Sequence, residues 1–404
     1  DNEDNNLAIG YDALGGAING GEFNVAVGNY ALDALTSGDR NTAVGYQAGS
    51  GLTTAVDCAF FGRFAGVSVT QGTHNTFLGG DAGSLVTTGD RCTMVGVAGW
   101  QFDTENDNVG IGYNALGGTI AGGEFNVAIG NYVLDSLTSA DQTTALGHNA
   151  ATRLTTSSYS TFLGSEASVH RTTGDHNIGI GYQCSGSNST STGIENVVMG
   201  NFAGHKLTTG ASNTIIGYDA GFSLTTGSNN LVLGMDAGFS GSPGGNATTD
   251  SNSIRLADES IGAAHIQVDW TVASDQRDKT DFTALDIGLD FINDLKPYTY
   301  KWDKRSKYGD KKADDYDLNA QTPDGTHKED WLDIGFKAQE VETLEKAAGY
   351  KIADKTNLTT TLTEDGKQYG IQYSKFIPIL VKAVQELSAT VTTLQQEINT
   401  LKGE

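Results

Sequence analysis

The chain has 404 residues, enough for two or three domains and a sizeable core, yet only 38% of them are hydrophobic. Fifty-three glycines against four prolines, with no G-X-Y period, exclude collagen. The net charge of −24 argues against nucleic acid and anionic membranes as partners, and no run of eighteen apolar residues marks a membrane span. Asp1 is not an initiator methionine and no charged-then-apolar leader follows it, so the native N-terminus and any attachment module are expected upstream.

From the first residues to about Gly238 a unit of the form N-x-x-hydrophobic-G-x-x-A recurs. Its glycines are Gly10, Gly28, Gly45, Gly62, Gly79, Gly96, Gly112, Gly130, Gly147, Gly164, Gly181, Gly200, Gly217 and Gly234, fourteen copies spaced mostly by 17. IGYDALGGAINGGEFNVAVGNYALDALTS at 9–37 returns as IGYNALGGTIAGGEFNVAIGNYVLDSLTS at 111–139, an offset of 102 residues or six units. Such a register predicts that each unit is one physical rung. N-x-A-V/I-G alternates as a short strand, glycine turns a tight corner, and T-T-G-x-x-N supplies a second turn. Helix is disfavoured, because glycine and β-branched residues dominate without a 3.6-residue apolar period. Asparagine opens ten of the fourteen rungs, so stacking predicts an amide ladder. At about 4.8 Å per rung the shaft is roughly 65 Å long.

Nothing in the rungs forms a catalytic cluster. GIGYNA at 110–115 fits a G-x-G-x-x-A dinucleotide fingerprint, but it is a rung without a βαβ unit around it. Cys58 and Cys92 replace ladder asparagines and Cys184 a corner alanine. They read as small buried thiols, with no disulfide framework and no metal site. The seven histidines are scattered, His170 and His176 included, and no cofactor is expected. This half loosely resembles the head repeats of trimeric bacterial surface adhesins, whose units are shorter. Similar glycine-rich rungs occur in phage tail fibres.

The repeat ends in SGSPGGNATTDSN, and residues 241–273 are expected to form closing strands and a linker. TALDIGLDFINDL then predicts one amphipathic helix with Leu285, Leu289, Ile292 and Leu295 inward. KPYTYKW predicts a strand, and 304–330 a polar, exposed loop. In the last segment Leu380, Val384, Leu387, Val391, Leu394, Ile398 and Leu401 alternate at three and four residues. They define a coiled coil over 377–401 and therefore an oligomer.

DWTVASDQRDK, then GFKAQEV at 335–341, then YSKFIPILVKAVQEL at 373–387 together resemble the endosialidase-type intramolecular chaperone domain, over roughly 270–404. The resemblance implies trimerisation, assistance to the folding of upstream β-structure, and self-cleavage before the serine of S-D-x-R-x-K. On this chain it implies Ala273–Ser274 as scissile bond, Ser274 as nucleophile and Lys279 as base. Asp275, Arg277, Gly335, Phe336, Gln339 and Glu340 are its supporting motif positions. A lysine serves as base only when neutral, and burial favours that form. The position before the lysine is commonly apolar in the family, whereas this chain has Asp278, a carboxylate that would keep Lys279 charged. Without the resemblance, Ser274 or Asp275 would read as a helix cap and Lys279 as a surface charge.

The expected architecture is thus mainly β. A parallel β-solenoid or β-roll shaft of 17-residue rungs (1–240) and a linker (241–273) precede a small α+β domain (274–404) ending in a coiled-coil helix, as a homotrimer. The expected function is a phage tail fibre for host attachment, located on the virion tail and assembled in the host cytoplasm. Its expected partners are other copies of itself, an upstream virion attachment module and a host surface receptor, glycan or protein. Membrane insertion and nucleic acid are not expected. Its one enzymatic act would be a single-turnover Ser-Lys cleavage of its own chain. The alternative is a bacterial trimeric adhesin stalk with an uncleaved trimerisation domain. A glycan-degrading tailspike needs paired carboxylates in a groove, for which the rungs leave little chain.

Overall fold

The structure, a computed structural model, describes every residue except 1–4, 100, 103, 266, 268–270, 312, 314 and 404, and every side chain of those residues except 101 and 102. Trp270 and Asp269 of the DWTVASDQRDK segment therefore lie outside the described residues. The chain divides into two compact units, Asp1–Asp258 and Glu259–Glu404.

The first unit is a parallel β-solenoid. Each repeat contributes a short strand, and fifteen strands stack in chain order into one sheet, from Leu7–Ile9 to Ile254–Leu256. Each strand pairs with the next of the same chain, as Val127 faces Thr144 and Ile129 faces Leu146. The rungs are therefore intrachain. A small side pair, Gln101–Phe102 with Thr119–Ile120, accompanies the middle of the stack.

The strand Ile254–Leu256 is a rung that the glycine pattern does not mark. It pairs with Leu231–Leu233, but Ala257 takes the corner at φ 61°. Bonds between these last two rungs join residues 23 apart instead of 17, as from Ser228 N to Ser251 Oγ. The longer connection and the alanine hide the period.

Alternation decides what enters the core. The second residue of a strand points inward, so Ala26, Ala43, Phe60, Phe77, Met94 and Ala128 are fully buried. Leucines of the second turn, such as Leu35, Leu52, Leu137 and Leu154, close over them. Phe60 and Phe77 stack with ring centroids 5.2 Å apart.

The asparagine ladder works mainly through the backbone. Asn24 Oδ1 accepts from Asn41 N at 2.9 Å in the next rung, and Asn24 Nδ2 donates to Gly38 O at 2.8 Å. Amide-to-amide bonds occur as well, as from Asn213 Nδ2 to Asn196 Oδ1 at 3.0 Å. Each buried amide thus satisfies two otherwise orphaned groups between rungs. Where cysteine replaces asparagine, its Sγ takes over the donor role, from Cys58 to Gly72 O at 3.3 Å. All three cysteines are buried and free. Burial pushes the Cys58 and Cys92 thiols up to about 11 and Cys184 to about 12.

Arg171 stands where the preceding rung has Leu154, bridges to Ser191 of the next rung, and is fully buried. Its guanidinium donates to Gly193 O at 2.5 Å and Ser185 Oγ at 3.3 Å, and burial lowers its pKa to about 10.

The corner glycines leave no room for a side chain. Gly147 has φ 141°, and a Cβ there would lie 2.3 Å from Gly164 O of the next rung. Gly147→Ala is expected to cost about 1–3 kcal/mol in backbone strain, plus the displacement of a neighbouring rung. A thermal melt of the variant beside the parent checks this, and an unchanged midpoint would contradict it.

The second unit is small and mixed. Helix α1 (Leu289–Asp294) precedes an antiparallel pair, Tyr298–Tyr300 with Asp333–Gly335. Helix α2 (Ala338–Ala347) follows, then the pair Thr360–Leu362 with Tyr369–Ile371, then helix α3 (Phe376–Lys402). Ile287, Phe291, Val341, Phe376 and Ile379 form its buried core. Residues 304–330 hold two 3-10 turns, at 305–307 and 318–320, and Leu318 among them is buried.

The expected helix over TALDIGLDFINDL is corrected. Only 289–294 is helical, because Gly288 adopts φ −155° and ψ −118°. Leu285 and Ile292 still pack against the core, but Leu285 does so from non-helical chain.

A buried carboxylate locks α2 to the following strand pair. Glu345, fully buried, accepts from Thr359 N at 2.5 Å, Thr359 Oγ1 at 2.7 Å, Thr360 N at 3.3 Å and Thr360 Oγ1. Glu345→Ala would strand these donors and is expected to destabilise the unit by about 3–5 kcal/mol. Urea unfolding followed by Tyr and Trp fluorescence checks it; a shift below about 1 kcal/mol would contradict the role.

Candidate functional site

Within the second unit, residues 274–279 make one tight turn. Asp275 caps a 3-10 turn, Gln276–Asp278, its carboxylate accepting from Arg277 N at 2.9 Å. The same carboxylate pairs with the Arg277 guanidinium at 2.6 Å, which holds it below the usual carboxylate range. Lys279 N closes the turn onto Gln276 O at 3.2 Å. This reversal brings Lys279 back over the start of the segment. Its Nζ lies 2.5 Å from Ser274 Oγ and 3.3 Å from Ser274 O.

A hydroxyl and an amine at that distance can exchange a proton directly. The serine oxygen is also adjacent in the chain to the Ala273 carbonyl, so attack on that carbon needs no encounter. Asp275 serves as cap and Ser274 as the partner of lysine, so the capping and dyad readings fall on neighbouring residues. Ser274 and Lys279 are both exposed, so this chain by itself does not supply the burial that a neutral lysine requires. Among the described residues no ion pair joins Asp278 to Lys279; the acid paired in this turn is Asp275.

The remaining motif residues lie elsewhere in the unit. Gly335 ends a strand opposite Tyr298, and a Cβ on it would lie 2.3 Å from the Tyr373 hydroxyl. Phe336 N donates to Tyr373 Oη at 3.2 Å, and the Phe336 ring lies 5.4 Å from that of Phe376. Glu340 accepts from Tyr298 Oη at 3.0 Å and pairs with Lys337 at 3.2 Å. Gln339 lends its carbonyl to Thr343 Oγ1. GFKAQEV and YSKF thus meet each other and tie the first strand pair to α2 and α3. Among the described residues no hydrogen bond joins them to Ser274 or Lys279.

Two residues inside YSKFIPILVKAVQEL have positional roles that the motif alone does not state. Glu386 of α3 accepts from Leu289 N at 2.7 Å, capping α1 from 97 residues away. That bond, and then Lys382, hold the Glu386 carboxyl below the ordinary glutamate range. Tyr373 is the second, bridging Phe336 and Phe376. Only the juxtaposition of distant segments reveals either one.

The seam of α3 is bare in the single chain. Leu380, Val384, Leu387, Val391, Leu394 and Leu401 are between 45% and 87% exposed. An apolar cavity of about 410 Å³, lined by Ile292, Leu295, Pro297, Phe336, Phe376 and Leu380 among others, opens at its root. Among the described residues no three of His, Cys, Asp and Glu are grouped to hold a metal ion, and no helix is long and apolar enough to cross a membrane.

No curated protein and no solved structure matches the chain. Residues 274–350 match the family model described as chaperone of endosialidase, and the match opens on Ser274. It contains the turn with Ser274 and Lys279, the GFKAQEV segment and α2. The C-terminal part of this chain therefore carries an endosialidase-type chaperone domain, which implies self-association into a trimer.

Proposed function

We propose that the chain is a trimeric phage tail fibre whose C-terminal domain gathers three copies, assists the solenoid to fold, and then releases itself by cutting Ala273–Ser274. The observation that carries the cleavage reading is the 2.5 Å approach of Lys279 Nζ to Ser274 Oγ at the first residue of the chaperone match. The chaperone domain itself supports the trimerisation role.

The chemistry balances within the chain plus one water. Neutral Lys279 takes the Ser274 hydroxyl proton as Oγ attacks the Ala273 carbonyl carbon. The tetrahedral species collapses by breaking the C–N bond; the Ser274 amine takes up a proton, and the Ala273 acyl group is left as an ester on Oγ. Water then hydrolyses that ester, freeing an Ala273 carboxylate and restoring the serine hydroxyl. Desolvation of the exposed turn by neighbouring copies would favour the neutral amine and would time the cut to follow assembly.

The full chain and Ser274→Ala, compared on denaturing gels, test this. The parent is expected to yield a fragment of about one third of the mass and the variant none. An intact parent would remove the peptidase reading and leave an uncleaved trimerisation domain, as in an adhesin stalk. Host attachment through a surface receptor, and a place on the virion tail, complete the proposed reading. They rest on the company such chaperone domains keep in phage spikes and fibres.

A further inference from the structure

The solenoid leaves one of its faces without a partner. In fourteen of its fifteen strands the second residue is buried, the first strand, Leu7–Ile9, being exposed throughout, so the first and third residues point out. Read along the stack, those two outward columns contain only Val, Ile, Leu, Met, Phe, Ala and Thr. Not one carries a charge, in a chain with 49 acidic and 25 basic residues. Many are well exposed: Ile9 56%, Phe61 40%, Leu78 49%, Leu146 47%, Ile216 39% and Leu256 49%.

A solvated antiparallel or parallel sheet face ordinarily carries polar residues at such positions. The columns run the length of the stack, roughly 67 Å, and with a width of about 10 Å they offer roughly 700 Å². That exceeds the largest apolar patch of a typical monomer, about 300–600 Å². It approaches the roughly 800 Å² per partner of a stable specific interface.

We infer that this face is the surface along which the solenoids of three copies of the chain pack, rung against equal rung. The inference rests on the trimer reading above and specifies its contact. The occupant follows from the chemistry. Apart from threonine hydroxyls the columns offer no hydrogen-bonding side chain, so they carry little to recognise a glycan. Another copy supplies the same apolar columns at the same rung spacing. The charges of a chain of net −24 lie outside these columns, so on the solenoid this uncharged face lets copies approach with the least repulsion, beside the bare seam of α3. The chaperone domain holds the copies together while they do so.

Single cysteines placed in the full chain test the inference. Leu146→Cys and Ile216→Cys lie on the face; Ser139→Cys, exposed in the second turn of a rung, is the control. The native thiols are buried and protonated, so they stay silent. With a short bismaleimide, Leu146→Cys and Ile216→Cys are expected to link copies about a hundredfold faster than the control, because packing holds the paired thiols at high effective concentration. Sedimentation of the same samples separates the two readings. Trimers in which neither face cysteine links faster than Ser139→Cys would overturn this surface while leaving the trimer standing. Monomers would overturn both.

Discussion

Replacing Lys279 by methionine is expected to slow cleavage of the Ala273–Ser274 bond by about 10²–10⁴-fold, the span that one positioned general base contributes. Methionine keeps most of the aliphatic length and removes only the amine that lies 2.5 Å from Ser274 Oγ. A time course of freshly synthesised chain on denaturing gels reads the rate. An unchanged rate would mean that another base serves the serine. Arg277→Ala should act more weakly, since its guanidinium braces Asp275 and does not meet the serine. Asp278→Leu is informative in the other direction. If the carboxylate keeps Lys279 charged, its removal speeds the cut. The absence of an ion pair between them in the single chain favours a small effect.

Ending the chain at Ala273 is expected to turn most of the soluble product into aggregate. The rungs are intrachain and each pairs with a neighbour about 17 residues away, so winding one solenoid is a local process. Joining three of them is not local. Near-identical rungs allow the copies to meet one or more units out of step at little cost, and end strands such as Leu7–Ile9 offer open edges meanwhile. A domain that gathers the copies at one end removes that freedom. Its later release would leave a fibre stable by its unfolding barrier and unable to reassemble readily once opened. The measurement is the soluble trimeric fraction of the truncated chain beside the full chain; equal recovery would end the chaperone account.

Much of the solenoid is readable in the sequence because most rungs repeat the same physical solution. A small or aromatic residue enters the core, an asparagine ties two rungs, and a glycine turns a corner that admits no Cβ. The rung at Ile254–Leu256 hides because a longer connection breaks the period and Ala257 accepts the left-handed corner. Helix α1 is overdrawn from sequence because Leu285 and Leu289 keep helical spacing across Gly288, and periodicity is blind to backbone conformation there. The cap that starts α1 comes from Glu386, which no local pattern indicates. At the junction, S-D-x-R-x-K is legible as a motif, and the structure adds the turn that folds Lys279 onto Ser274. Lys279 stays exposed in the single chain, so the burial that favours a neutral amine is not supplied by its own segment. GFKAQEV is legible as a family signature, yet Gly335, Phe336, Gln339 and Glu340 serve the packing of α2 and α3, away from the serine.

The most direct measurement is the intact mass of the purified 404-residue chain, without added protease. Two species are expected that divide the chain between Ala273 and Ser274, their masses summing to the parent plus one water. A single uncut species, or a boundary at any other bond, would contradict this.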